Sequence, residues 1–238
     1  MSASKGSDLT LAAADVIVER AEKRYQSHRR EIYVTTDRTF AGLMIGQWLF
    51  GVLLALLVSP YAWQGKVRTV NMHVWAALFL GGLITALPVT LAVLRPGTAL
   101  TRHVIAAAQM LWSALLIHLC GGRIETHFHV FGSLAFIAFY RDWKVLLTAT
   151  VVVASDHLLR GIFWPESVYG IANPEWWRFL EHAAWVVFSV SFLILSCLRS
   201  TRDMRVMAER SAEIEALAEN QWRNSSVLER SRAEAANG

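Results

Sequence analysis

Long apolar segments separated by short polar ones fill residues 39–198, whereas both ends of the chain are polar. Nearly charge-free segments that are long enough to cross a bilayer as helices recur along this region. The six segments are residues 39–64, 70–94, 103–122, 126–143, 145–164 and 176–198. The pattern predicts an all-α fold, a polytopic membrane helix bundle with six transmembrane helices.

Two of the six predicted spans are atypical. Residues 126–140 extend only about 22 Å as a helix, whereas the hydrocarbon core of a bilayer is about 30 Å thick. The fifth span contains Asp156, His157 and Arg160. Both segments are still predicted to cross the membrane, because the interior of a helix bundle accepts polar groups that lipid does not.

The basic residues predict the orientation of the bundle. Lys and Arg are frequent before residue 39, in the loops that contain Arg95 and Arg141, and again after residue 198. In a six-span topology all of these segments fall on one side, and the opposite loops hold fewer basic residues. The positive-inside rule therefore places both termini in the cytoplasm.

The polar ends are predicted to form helices outside the membrane. Residues 8–33 have a partly apolar helical face, which is typical of a helix that lies on the cytoplasmic membrane surface or packs against a partner. A solvated helix is an equal alternative. The resulting domain organisation is 1–38 as an amphipathic N-terminal helix, 39–199 as the six-helix transmembrane domain and 200–238 as a coiled-coil-like linker.

A weak coiled-coil pattern occurs in the C-terminal segment. Met207, Ile214 and Leu228 fit a seven-residue spacing, and Leu217 lies three residues after Ile214. Polar residues interrupt this apolar stripe, so the pattern predicts a marginally stable homodimer.

Composition changes this picture little. The chain is 54% hydrophobic and has a formal net charge of +4, which is too small to indicate a nucleic-acid partner. Cys120 and Cys197 are predicted near opposite ends of the bundle, which argues against a disulfide between them.

The histidines share one depth in the predicted topology. His28 and His103 are on the cytoplasmic half, and the other six fall in the outer third of the bundle, on five helices. These six are His73, His118, His127, His129, His157 and His182. Imidazole is a common metal ligand and is tolerated in membranes mainly when it is partnered. The layer therefore predicts a site for a transition metal ion, with zinc, copper or iron as candidates.

Acidic residues accompany this histidine layer. Asp156 is predicted as a further metal ligand, whereas Glu125 and Glu181 are predicted to orient the imidazoles. Structural alternatives remain open, since Asp156 can pair with Arg160 four residues later and Glu181 can pair with Arg178.

His127 and His129 are two residues apart, so on a regular helix they point in nearly opposite directions. Either one of them is not a ligand, or the chain is extended after Gly121-Gly122.

A family resemblance is carried by the runs ETHFHVFGSLAFIAFYRDW (residues 125–143), DHLLRG (156–161) and EHAAWVVF (181–188). They resemble the membrane sensor region at the N-terminus of many bacterial histidine kinases and diguanylate cyclases. In that family a Glu-x-His-Phe-His run leads to a Tyr-x-Asp-Trp turn and then to a His-His or Asp-His pair. The resemblance covers roughly residues 70–200 and implies a multi-pass protein of the bacterial inner membrane.

The C-terminal run LERSRAEAANG is similar to the segment that precedes the dimerisation helix of hybrid sensor kinases. This resemblance implies a cytoplasmic output kinase domain in the full-length protein. The chain itself contains no kinase nucleotide-binding motif, P-loop or cyclase signature, so it is not expected to phosphorylate a substrate.

Two functions from different classes follow. The preferred one is a signal-input module, in which a metal or a metal-held small ligand binds in the outer half of the bundle and the last helix relays the change. The alternative is an integral-membrane metalloenzyme, a hydrolase or an iron-dependent oxidase, that uses the same cluster with Asp156 or Glu181 as general base. A haem held by two histidines is a third and less favoured option.

Overall fold

The computed structural model describes the backbone of residues 2–58, 61–64 and 67–237, and the side chains of residues 14–58, 61 and 70–237. Apart from one short β-hairpin, this part of the chain is dominated by helices. The predicted all-α character is thereby confirmed.

Helix α1 spans Ser2–Val58, so the N-terminal polar segment and the first apolar segment form one continuous helix. The first span was predicted to extend to residue 64, but the helix ends at Val58 and a strand follows. Pro60 in the sequence explains the early end, because a proline and the residue before it both disfavour helix.

The β-hairpin occupies part of the segment between the first two apolar stretches. It consists of β1 (Tyr61–Gln64) and β2 (Val67–Val70), which pair antiparallel with Tyr61 opposite Val70. The second apolar segment follows as α2 (Met72–Trp75), a π-helical turn (Ala76–Leu80) and α3 (Gly81–Leu94).

The remaining helices follow in chain order. They are α4 (Ala99–Leu119), α5 (Ile124–Ile137), α6 (Trp143–Phe163), α7 (Glu166–Tyr169) and α8 (Arg178–Asn237).

Five helical segments in the described part of the chain are long and apolar enough to cross a membrane, and the protein is therefore a membrane protein. They lie within Ala14–Val58, Met72–Leu94, Ala99–Leu119, Trp143–Phe163 and Arg178–Asn237. The other predicted span corresponds to α5, which has 14 residues. A helix of that length rises only about 21 Å.

The chain forms two compact units. One consists of residues 1–29 together with 200–238, and the other of residues 30–199.

Helix α4 lies at the centre of the larger unit and packs against α3, α5 and α6. Its Trp112 is fully buried, and the indole nitrogen donates a hydrogen bond to Thr85 Oγ1 on α3 at 2.9 Å. A side chain at Gly51 on α1 or Gly81 on α3 would lie within 2.8 Å of this ring. These glycines therefore allow the three helices to approach closely around Trp112.

The Tyr-Arg-Asp-Trp turn between α5 and α6 is a structural connection. The Tyr140 hydroxyl donates to the buried carboxylate of Asp37 at 2.7 Å, and the backbone nitrogen of Gly97 donates to the same carboxylate at 2.6 Å. Asp142 caps α6 and accepts a hydrogen bond from Arg102 at 3.0 Å. The turn thus ties α1 and α4 to the junction of α5 and α6.

In the smaller unit, parts of α1 and α8 pack against each other. Arg20 pairs with Glu219 at 2.8 Å and Arg24 pairs with Glu215 at 2.7 Å, so the two segments run antiparallel. Apolar residues are buried between the helices. The buried side chains of this unit include Ala21, Tyr25, Met204 and Ala212.

Candidate functional site

Three of the predicted site histidines meet inside the larger unit, each from a different helix. The ring centre of His127 on α5 lies 5.5 Å from that of His157 on α6 and 5.3 Å from that of His182 on α8. The His157 and His182 ring centres are 6.3 Å apart. His127 and His157 are buried. We refer to these three residues as the histidine cluster.

The three rings of the histidine cluster are anchored in the same way. Each Nδ1 atom lies 2.9–3.1 Å from the backbone carbonyl oxygen four residues earlier in the chain. A carbonyl oxygen only accepts, so each Nδ1 carries a proton, and in the neutral tautomer with this hydrogen bond the lone pair is on Nε2. The Nε2 atom of His127 is buried and has no hydrogen-bond partner.

A cavity of about 80 Å³ adjoins all three rings of the histidine cluster. A cavity of this size holds a few water molecules or a small ligand. Tyr169 lies on another side of the cluster, with its ring centre 5.5 Å from that of His182. Apart from the histidines, the cavity lining is almost entirely apolar: Val130, Phe131, Thr150, Val153, Ala154, Phe179, Ala183, Val186 and Val187.

Asp156 lies beside the histidine cluster but is held by another partner. Both of its carboxylate oxygens accept hydrogen bonds from Arg160, at 2.8 and 2.5 Å. One of them is also 3.4 Å from Nδ1 of His157. The i+4 pairing that the sequence left open is therefore present, and Asp156 supports His157 from the side opposite Nε2.

The Asp156–Arg160 pair continues into a second histidine group. Arg160 donates to the hydroxyl of Ser167 at 2.8 Å, and the same hydroxyl lies 2.9 Å from Nδ1 of His118. The ring of His118 is 5.0 Å from that of His73, whose Nδ1 is buried without a partner. His73 and His118 thus form a separate pair, connected to the histidine cluster by polar side chains.

His129 belongs to a third environment. Its Nε2 accepts from the side-chain nitrogen of Gln47 at 3.0 Å, and its Nδ1 lies 2.8 Å from the hydroxyl of Ser113. That hydroxyl donates to the carbonyl of Gln109, so His129 is the donor to Ser113. Because α5 already begins at Ile124, His127 and His129 lie on regular helix and contact different neighbours.

The two predicted orienting glutamates are both exposed, whereas His127 and His157 of the histidine cluster are buried. Glu125 is exposed and lies 3.6 Å from Arg123. Glu181 is also exposed.

The sequence predicted only part of the loop structure that positions the histidine cluster. Gly121 and Gly122 adopt positive φ, as a turn between helices requires, and Gly170 does so at the end of α7. A side chain at Gly122 would lie 2.3 Å from the backbone of Gly170. This close contact holds the start of α5 against α7. In the sequence, only the glycines themselves indicate it. Tyr169 and Ser167 were likewise not predicted at the site, because no motif in the sequence marks them.

The described residues contain no group of three His, Cys, Asp or Glu side chains whose ligating atoms are already arranged to hold a metal ion. The cluster therefore brings the rings together without presenting a finished coordination site.

No family model matches the chain, and no solved structure matches it. The chain is 31% identical to the transducer protein Htr8 of Halobacterium salinarum over an alignment of 150 residues, which covers 61% of this chain. The match covers 23% of that protein, so this chain corresponds to less than a quarter of its relative's length.

Proposed function

We propose that the chain is the membrane-embedded signal-input module of a receptor, with the histidine layer as its ligand-binding region. The single observation that carries the proposal is the position of His182. This residue lies in the first turns of α8, and α8 continues without interruption to Asn237. A change at the histidine cluster can therefore act directly on the helix that leaves the membrane.

The similarity to a transducer protein supports this role. The matched protein is named as a transducer, and the match covers only a minor part of it. Such a partial match fits an input region that operates with a separate output region. We further propose that this output region is a cytoplasmic histidine-kinase domain, that the receptor is a homodimer, and that it resides in a bacterial inner membrane.

The ligand is proposed to be a transition metal ion, or a small molecule held on one. Imidazole donors inside an apolar bundle support this choice, because a lone buried Nε2 such as that of His127 otherwise lacks a partner.

The arrangement of the carboxylates favours a sensor over an enzyme. Both oxygens of Asp156 are engaged by Arg160, and Glu181 is exposed. Asp156, the general-base candidate beside the histidine cluster, is therefore held in an ion pair and is not free to take up a proton.

Hydrogen exchange of the purified chain in lipid nanodiscs tests the proposal. Exchange is measured for residues 200–237 with chelator, with zinc, copper or iron(II), and at pH 5 and pH 8, and it is corrected for the intrinsic rate at each pH. A signal-input module is expected to change exchange in this segment under at least one of these conditions. The change should be absent when His127, His157 and His182 are all replaced by glutamine.

If exchange in residues 200–237 is the same under every condition, the proposed relay through α8 is wrong. A response to pH without any response to metal would support the sensor role and assign the signal to histidine protonation instead.

A further inference from the structure

We infer that His127, His157 and His182 form one three-imidazole metal site, coordinated through Nε2, with a fourth position open toward the adjoining cavity. The inference narrows the histidine layer to three ligands and excludes His73, His118, His129 and Asp156 from direct coordination. It rests on the proposed function only for the role of the metal in signalling.

The ring separations fit such a site. A metal–nitrogen bond of about 2.1 Å places the metal about 3.2 Å from the ring centre, so two imidazoles at a tetrahedral angle have centres about 5.2 Å apart. The two separations that involve His127 are 5.3 and 5.5 Å. The third separation, between His157 and His182, is 6.3 Å and must shorten by about 1 Å.

The hydrogen bonds prepare the rings for coordination. Metal-bound histidines generally donate their other ring N–H to a carbonyl or carboxylate, which fixes the tautomer and the ring orientation. All three members of the cluster already donate from Nδ1 to a backbone carbonyl. Asp156, near Nδ1 of His157, adds the negative charge that often accompanies such a ligand.

The donor set selects the metal class. Three imidazole nitrogens without a thiolate or a bound carboxylate suit zinc, copper, nickel, cobalt or iron(II), whereas calcium and magnesium require oxygen ligands. A site with three protein ligands keeps an exchangeable fourth position, and here the 80 Å³ cavity gives that position room for water or a small neutral molecule.

The separation that must still shorten involves α8, the helix that is proposed to relay the signal. The separation that must shorten joins His157 on α6 to His182 on α8, while His127 already stands at a suitable distance from both. Metal binding is therefore expected to draw α8 toward α6. Because the His157–His182 separation is the one that must shorten, a ligand bound at the histidine cluster moves α8.

Metal analysis of the detergent-purified full chain tests the inference. Zinc, copper, nickel, cobalt and iron are each added and the unbound metal is removed, and the bound metal per chain is measured. The wild type is compared with His127→Ala, His157→Ala and His182→Ala. The matched control is His129→Ala, which removes an imidazole from the same helix two residues away.

The wild type and His129→Ala should retain about one metal per chain, and each cluster variant should lose at least ninety per cent of it. X-ray absorption of the wild type should show three imidazole ligands, and this measurement does not depend on whether a variant folds. Loss of metal only in His129→Ala, full retention in a folded cluster variant, or no bound metal at all would overturn the inference. Any of these results leaves the hydrogen-exchange test of the sensor role standing on its own.

Discussion

At the scale of single residues, the direction of each histidine ring decides its role. His127 and His129 differ by two positions on α5, and their rings turn to different helices for that reason. His129 has both ring nitrogens engaged, by Gln47 and Ser113. His127 has only Nδ1 engaged and leaves a buried Nε2 without a partner. His129 is thus fully hydrogen-bonded within the protein, whereas His127 has a ring nitrogen available for a ligand.

Gly81→Ala is expected to destabilise the protein by about 1–3 kcal/mol, because the new methyl group would lie 2.7 Å from the ring of the buried Trp112. Gly132→Ala is the matched control, since a side chain there meets no atom within 4 Å. Thermal unfolding in the same detergent compares the two variants. Equal midpoints for Gly81→Ala and Gly132→Ala would show that the close packing around Trp112 does not contribute to stability.

The residue types of the candidate site were predictable from the sequence, but their grouping was not. Span assignments place six histidines at one depth, yet depth does not specify how each helix is rotated about its axis. The rotation of α5 separates His127 from His129, and His118 packs against His73 and Ser167 instead of joining the histidine cluster. Both depend on contacts between distant parts of the chain. The engagement of Asp156 by Arg160 was visible as an alternative because it is local.

At the scale of elements, the lengths of the apolar segments predicted where the helices lie, and proline and glycine residues determine where they end. α1 ends before Pro60, and the segment predicted as the end of the first span forms β1 instead. α5 begins after the Gly121-Gly122 turn and has only 14 residues. The short α5 places His127 within one turn of the helix start, next to the Gly121-Gly122 turn that lies against Gly170 at the end of α7.

The pairing of α1 with α8 in the smaller unit is expected to depend on charge. Arg24→Glu alone should increase chymotrypsin cleavage within residues 200–237, because the new carboxylate opposes Glu215, and the double variant Arg24→Glu/Glu215→Arg should restore resistance. Chymotryptic peptides identified by mass spectrometry report the cleavage. No rescue in the double variant would mean that the ion pair does not hold the two helices together.

Acidification should weaken the same pairing. The hydrogen bond from Arg20 holds the pKa of Glu219 below its ordinary value of 4.5. A carboxylate with a lowered pKa stabilises the pair above its ordinary pKa, and this stabilisation is lost as the pH falls below 4.5. Hydrogen exchange at pH 5.5 and pH 3.5 should show faster opening at the lower pH after correction for the intrinsic rates. Glu219→Gln should remove part of this pH dependence.

At the scale of the whole molecule, α1 and α8 are the two helices that take part in both compact units. The apolar residues of the predicted dimer seam, Met207, Ile214, Leu217 and Leu228, are exposed in the single chain. Exposed apolar side chains at this spacing are typical of a helix that awaits a partner helix.

Ile214→Glu is expected to weaken self-association by roughly 10- to 100-fold, because a charge replaces an apolar side chain at the centre of the seam. Ser226→Glu adds the same charge on the side of α8 that faces away from this seam, and it should leave association unchanged. Analytical ultracentrifugation in detergent measures both. A dimer that is unaffected by Ile214→Glu would place the contact between copies elsewhere.

The distance between α6 and α8 tests the central claim most directly. Spin labels are placed at Val151 on α6 and Leu195 on α8, both exposed, in a chain with Cys120→Ser and Cys197→Ala. Zinc, which is diamagnetic and binds imidazole well, serves as the ligand. Pulsed electron paramagnetic resonance should show the mean distance shift by about 1 Å on addition of zinc in the wild-type site and in His129→Ala, but not in His182→Ala. Distance distributions that are identical with and without bound zinc would contradict the account, because the histidine cluster would then hold a metal without moving α8.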